Sequence, residues 1–195
     1  QLQGGNDKLT PEESDAWTIG FVFQPNPQFS FSLDYWSYEI TNNIGVIGET
    51  AIFGDTAKYS NLFVRCSAAP VARKLTIPGC AQVPPGDPLA YIVNTNLNLG
   101  DTETTGLDFA FNFNPAATQY GRFSLNWRGT YITKYEFQVE PGGRWFNPVG
   151  NYNAEFGGSV LRFKSVVALG WEQNAWSGNL IYNYQSGYRD QNSGV

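Results

Sequence analysis

The side-chain pattern predicts an all-β chain, an antiparallel up-and-down transmembrane β-barrel represented here by about six long strands. Three observations predict it. Apolar and polar residues alternate with period two along successive segments, the spacing that sends neighbouring side chains to opposite faces of a sheet. The connections run short, long, short, long, short, as in a barrel with tight turns on one side of a membrane and loops on the other. Aromatic residues flank each short connection on the apolar parity, where a membrane–water interface collects rings.

The first strand is expected over Ala16 to Gln24, with Trp17, Ile19, Phe21 and Phe23 on one face and Thr18, Gly20, Val22 and Gln24 on the other. Pro25-Asn26-Pro27-Gln28 ends it, since each proline fixes φ and removes a ladder donor. The second runs from Phe29 to about Ile44, with Phe29, Phe31, Leu33 and Tyr35 on the apolar face. Trp36, Tyr38 and Ile40 then fall on the polar parity, which either a bulge or emergence from the membrane would explain. Gly45 to Leu89 is a long proline-rich loop holding both cysteines. The third strand is expected from about Ala90 to Asn114, with Leu97, Leu99, Leu107, Phe109, Phe111 and Phe113 opposite Asn94, Asn96, Asn98, Thr102, Thr104, Asp108, Ala110 and Asn112. Small polar residues in that number fit a wet barrel interior. The fourth runs from Gly121 to about Val139, setting Phe123, Leu125, Trp127 and Tyr131 against Arg122, Ser124, Asn126, Arg128, Thr130 and Lys134. After a Gly/Pro/Asn-rich loop, Glu140 to Asn153, the fifth ends at Val167, Leu169 and Trp171, and Asn174-Ala175 turns into the sixth, Trp176 to Tyr188.

Composition excludes several functions. Of 195 residues, 16% are aromatic and 15% charged, the latter well below the usual quarter of a globular chain. No run of apolar residues is long enough for a transmembrane helix. The net charge of −5 leaves no basic surface for nucleic acid. The absence of histidine removes a Ser-His-Asp triad and a His-ligated metal. Asp101 and Glu103 share one face two residues apart, not across a cleft as a glycosidase needs. No catalytic residue, metal or cofactor is expected, and the chain does not read as an enzyme.

A soluble sheet with an aromatic core is the competing fold. Charge placement argues against it. Asp101 and Glu103, on the apolar parity, stand about ten residues from the short turn, at or above the outer interface where charge costs little. Phe23, Phe29, Phe113, Phe123, Trp171 and Trp176 are expected to form the lower aromatic girdle, with Tyr35, Tyr131 and Tyr184 at the upper interface. Six such strands cannot close on themselves, and open edges are not tolerated in lipid. Residues 1–195 are therefore expected to be a partial barrel domain, incomplete at both ends.

Leu9-Thr10-Pro11-Glu12-Glu13-Ser14 followed by Trp17-Thr18-Ile19-Gly20 resembles the entry to a barrel strand in TonB-dependent outer-membrane receptors. Phe29-Ser30-Phe31-Ser32-Leu33-Asp34-Tyr35-Trp36 resembles the next strand of that family. Asn98-Leu99-Gly100 with Thr105-Gly106-Leu107-Asp108, and Gly187-Tyr188-Arg189-Asp190, resemble later ones. The resemblance implies a barrel of about 22 strands, a plug and a TonB-interacting segment outside this chain, residence in the Gram-negative outer membrane, and energised uptake of a siderophore, oligosaccharide or peptide. Implied partners are outer-membrane lipid, the TonB complex through the N-terminal region, and a transported small molecule. A passive porin or channel is the alternative; the third strand, about 24 residues, is too long for a bare crossing.

Ligand contact is expected on the long loops, from Tyr59, Phe63 and Arg65 or from Arg144, Trp145 and Phe146. Arg122, Arg128, Lys134, Asp108 and Glu172 are expected to face the lumen and to pair there. Cys66 and Cys80 should join in an oxidising compartment.

Overall fold

A computed structural model describes residues 5–81, 85–152 and 158–190. Six long strands dominate it: β1 (Glu13–Asn26), β2 (Phe29–Thr41), β3 (Thr102–Phe113), β4 (Arg122–Gln138), β5 (Phe163–Gln173) and β6 (Trp176–Gln185). They form one sheet in chain order, each antiparallel to the next. This is the meander expected of an up-and-down barrel wall.

Register shows why the alternation matters. Phe23 lies opposite Phe31, Phe31 opposite Phe111, Phe111 opposite Trp127, Trp127 opposite Val167 and Val167 opposite Tyr182. One apolar row thus crosses the whole sheet on one face. Asn112 opposes both Ser30 and Asn126 on the other face, and Asn112 Nδ2 donates to Ser30 Oγ at 3.2 Å. Among the described residues the buried apolar side chains are Ile47, Ile52, Cys66, Ala69, Cys80, Ile92 and Val149, and none lies on a long strand. Phe21 is 58% exposed and Trp176 is 76% exposed. Each such ring moved from water into hydrocarbon contributes roughly 2–3 kcal/mol. A row this size has only one favourable surrounding, which is lipid.

The short turns carry local signals. Asn26 Oδ1 accepts from Gln28 N at 3.0 Å in the first, and Asn174 takes φ 53° in the third, a left-handed conformation that asparagine tolerates. Gly121, at φ 106°, closes the second turn with Thr118, and a Cβ there would strike the Glu172 carbonyl. Trp171 Nε1 donates to Tyr120 O at 2.8 Å, tying that ring to the turn.

On three points the structure narrows or corrects the sequence reading. The second strand contains no bulge: β2 keeps register with β1 from Phe31 to Thr41 and with β3 from Phe29 to Ile40. Trp36, Tyr38 and Ile40 therefore lie on the polar-parity face. The bulge sits in β4, where Ile132 opposes Gly106 but Lys134 opposes Thr105, leaving Thr133 extra. Every residue beyond it changes face, as one inserted residue must cause. Lys134 is thus not with the polar-face residues; it stands on the aromatic-parity face, paired with Glu103 and, at 3.3 Å, with Glu136. There it relieves a row of carboxylates, Asp15, Glu39, Glu103 and Glu136, which lie directly opposite one another and would otherwise repel.

The third correction concerns β3, which begins at Thr102, not near Ala90. Leu89–Ile92 instead pairs with Phe63–Arg65, and Leu97–Asn98 with Ile44–Gly45. The asparagines that suggested a lumen-facing strand hold loop carbonyls. Asn94 Nδ2 donates to Ile47 O at 3.0 Å, and Asn98 Nδ2 to Thr10 O at 2.9 Å and Asn42 O at 3.0 Å.

The long loop is accordingly a small folded module. Gly48 opens a short helix, Glu49–Gly54, whose Ile52 is fully buried with Ile47 and Ile92, and Tyr59, Leu62, Phe63, Leu97, Leu99 and Val139 pack around them. Cys66 and Cys80 form a disulfide with Cα atoms 5.2 Å apart. Closing a loop of 14 residues of separation stabilises it by about 3 kcal/mol on the chain-entropy account. The double substitution Cys66→Ser/Cys80→Ser should therefore speed proteolysis between residues 60 and 92 without shifting the unfolding midpoint of the barrel, both read on the intact receptor. Loss of barrel stability would contradict a locally acting bridge.

Candidate functional site

The bulge at Thr133 builds the site. Below it, β4 sends Thr130 and Ile132 to the polar face; above it, the same face receives Tyr135 and Phe137. Tyr135 opposes Thr104 and Phe137 opposes Thr102. On the far side of β3, Tyr38 opposes Thr104 and Ile40 opposes Thr102. The result is a trough whose floor is Thr102 and Thr104. One wall is Trp36, Tyr38 and Ile40, and the other is Tyr135 and Phe137. The walls stand two strands apart, roughly 10 Å at the backbone. The rings brace one another: Trp36 and Tyr38 centroids are 5.7 Å apart and those of Tyr135 and Phe137 6.4 Å. The Trp36 indole lies across Gly106, where a Cβ would collide with it, and so closes the lower end of the trough.

The trough is held from above. Gln138, 8% exposed, accepts from Asp101 N at 3.3 Å and donates to Gly143 O at 2.7 Å. It fastens the start of β3 to the loop after β4. Asn43 Nδ2 donates to Thr102 Oγ1 at 2.7 Å and to Gly100 O at 3.1 Å. Thr104 Oγ1 donates to the Lys134 carbonyl at 3.3 Å.

Phe137 also borders a cleft of about 570 Å³ between the loop module and the segment after β4, lined by Lys58, Tyr59, Leu99, Phe137, Glu140, Arg144 and Phe146 among others. Lys58 and Glu140 form an ion pair across it, and the hydrogen bond to Glu140 holds the Lys58 ammonium above its ordinary pKa. Arg144 sits 4.4 Å over the Phe146 ring, and Phe146 lies 5.7 Å from Phe137.

The six loop residues singled out from sequence divide. Tyr59, Arg144 and Phe146 line this one cleft. Phe63 packs on the module core and against Phe53. Arg65 donates to Asp87 O at 3.2 Å beside the disulfide. Trp145 opposes Gln138 at the end of β4. Sequence reading missed Tyr38, Tyr135 and Phe137; Tyr38 showed itself as an aromatic residue on the polar parity, whereas Tyr135 and Phe137 keep the apolar parity and change face only through the bulge. Lower on the polar face, Thr130 Oγ1 donates to Asp108 Oδ1 at 2.5 Å, Arg122 opposes Glu172, and Arg128 opposes Ala110 and Val166. The residues expected to form the girdle share the aromatic face: Phe29 opposes Phe113, Phe123 opposes Trp171, Phe23 meets Phe29 edge-on at 6.1 Å, and Trp176 follows the last turn. An apolar hollow of about 510 Å³ between Leu125, Leu169, Trp171 and Leu180 lies on that same face.

A family model described as TonB dependent receptor-like, beta-barrel, matches residues 1–195. The chain belongs to the TonB-dependent receptor β-barrel family. No curated relative matches it. Membership makes the protein a Gram-negative outer-membrane transporter energised through TonB, not an enzyme. The aromatic face of the receptor is its lipid face, and the polar face lines the lumen. The trough and the adjoining cleft stand at the loop end of that lumen, beyond the polar rows of Asp108, Thr130 and Arg128.

Proposed function

We propose that this receptor captures a bulky nutrient, a siderophore, oligosaccharide or peptide, in the trough and cleft around Phe137, and that its six strands form one arc of a barrel completed by further strands. The observation that carries the capture reading is the placement of Tyr135 and Phe137 on the lumen side by the Thr133 bulge. Rings on the lipid face have hydrocarbon to cover them, whereas Tyr135 and Phe137 stand on the polar face, with Phe146 5.7 Å from Phe137. The cleft beside them combines an apolar floor with a few placed polar groups, the usual make-up of a binding site.

The test uses cells expressing the intact receptor and a mixed panel of ferric hydroxamates, ferric catecholates, malto-, xylo- and cello-oligosaccharides, and tri- to hexapeptides. Clearance of each compound is followed by mass spectrometry. The expected outcome is that at least one compound is removed by the wild type and spared when a protonophore collapses the membrane potential. Phe137→Ala should reduce that clearance by roughly tenfold, with surface abundance unchanged. Clearance that continues with protonophore present would identify a passive channel instead.

A further inference from the structure

We infer that the lumen wall carries an oxyanion-binding site below the trough, built on Arg128 and Lys164 and suited to a carboxylate or phosphate group of a solute. It needs the polar face to line the lumen and does not depend on capture in the trough. A hollow of about 440 Å³ spans β3 to β6, lined on the polar face by Asp108, Arg128, Thr130, Lys164, Asn183 and Gln185. Register brings them together. Thr130 opposes Asp108 on one side and Lys164 on the other. Lys164 also opposes Gln185, and Val166 opposes both Arg128 and Asn183. From Thr104 on the trough floor to Asp108 is roughly 13 Å along β3, toward the short turns.

The donors in this hollow are unspent. Ion pairs among the described residues join Lys58 to Glu140, and Lys134 to Glu103 and Glu136; Arg128 and Lys164 enter none. Nor does either of them, or Asn183 or Gln185, make a side-chain hydrogen bond among the described residues. The carboxylate in the hollow is engaged elsewhere, since Asp108 accepts from the Thr130 hydroxyl. Across β3, Asp108 faces a second carboxylate, Asp34, whose side chain leans away over Gly20. Carboxylates therefore gather on β2 and β3 and cations on β4 and β5. A wall arranged for stability alone would interleave them, because opposite charges across a strand pair attract and like charges repel.

The donor set selects the ligand class. A guanidinium presents a planar fork that matches two oxygens of a carboxylate or phosphate, an ammonium adds a point charge, and the two amides add neutral N–H groups. A neutral solute leaves both charges unmatched, and a cation meets two like charges. An acidic polypeptide segment is the other occupant with matching charge. Of the polar-face side chains lining the hollow, Val166 alone is aliphatic, so there is little apolar surface to seat one.

The experiment titrates the purified intact receptor, in a phosphorus-free detergent, with inorganic phosphate followed by phosphorus NMR line width and, separately, with carbon-13 citrate. The inference expects saturable broadening of at least one anion, weakened by added sodium chloride. Arg128→Gln and Lys164→Gln should each weaken it roughly tenfold. Arg122→Gln, which changes a cation lower on the same face opposite Glu172, should leave it unchanged, and heat-dependent gel mobility reports folding of every variant. Whichever anion binds names the group as phosphate or carboxylate. No saturable binding of either would overturn the inference and assign the hollow to another part of the receptor. Binding that survives both glutamine variants, or that falls equally in Arg122→Gln, would also overturn it, as would equal broadening of maltose or putrescine.

Discussion

Arginine at Trp127 is expected to destabilise the folded receptor by about 2–4 kcal/mol, and arginine at the adjacent Asn126 by less than about 1 kcal/mol. Trp127 lies in the row that includes Phe31 and Phe111, between the facing pair Phe123–Trp171 below and Tyr131 above. A guanidinium there must leave water for hydrocarbon or drag a defect into the bilayer, and it also loses the Phe109 ring contact at 4.9 Å. Asn126 opposes Asn112 and Ala168 on the lumen side, where a new charge meets water. Urea unfolding of the intact receptor in phospholipid vesicles, followed by gel mobility, gives both values. Equal costs at the two positions would mean the faces do not see different solvents.

Ile52→Ala should unfold the loop module while leaving the barrel intact. Ile52 is fully buried beside Ile47 and Ile92, and a large-to-small change in such a site costs about 2–5 kcal/mol. A module with three buried isoleucines at its centre has little stability in reserve. Its opening releases Tyr59 and Leu99 from the cleft wall, so the captured nutrient should be lost along with it. Hydrogen exchange is expected to accelerate across residues 47–64 and 89–99, with protection in β2, β3 and β4 unchanged. Simultaneous loss of protection in those strands would show the module and the wall to be one cooperative unit.

The wall was readable from the chain because lipid imposes a rule on each strand separately. Phe109, Phe111 and Phe113 declare their face without reference to any partner, and the same holds for Phe123, Leu125 and Trp127. The cross-strand row that the register then shows follows from pairing strands that already have assigned faces. Single inserted residues and side chains serving at a distance escape such a reading. Thr133 looks like any β-branched strand residue; its status as a bulge is set by the pairing of Lys134 with Thr105. Tyr135 and Phe137 continue the parity of Tyr131 in the sequence and still reach the opposite face. Asn94 and Asn98 alternate as lumen residues would, but their amides serve Ile47, Thr10 and Asn42, the first of them 47 positions away. The candidate site lies where these two hidden features meet, which is why the sequence pointed to Tyr59, Arg144 and Phe146 on the loops but passed over the trough.

Single nitroxide labels at Phe109, Phe111, Leu125 and Trp127, and at Ala110, Asn112, Asn126 and Arg128, in the intact receptor reconstituted in phospholipid, measure most directly what surrounds each face. Collision with dissolved oxygen should dominate at the first group, and collision with a water-soluble nickel chelate at the second. The opposite assignment, or one alike for both groups, would contradict a wall with hydrocarbon on one side and water on the other.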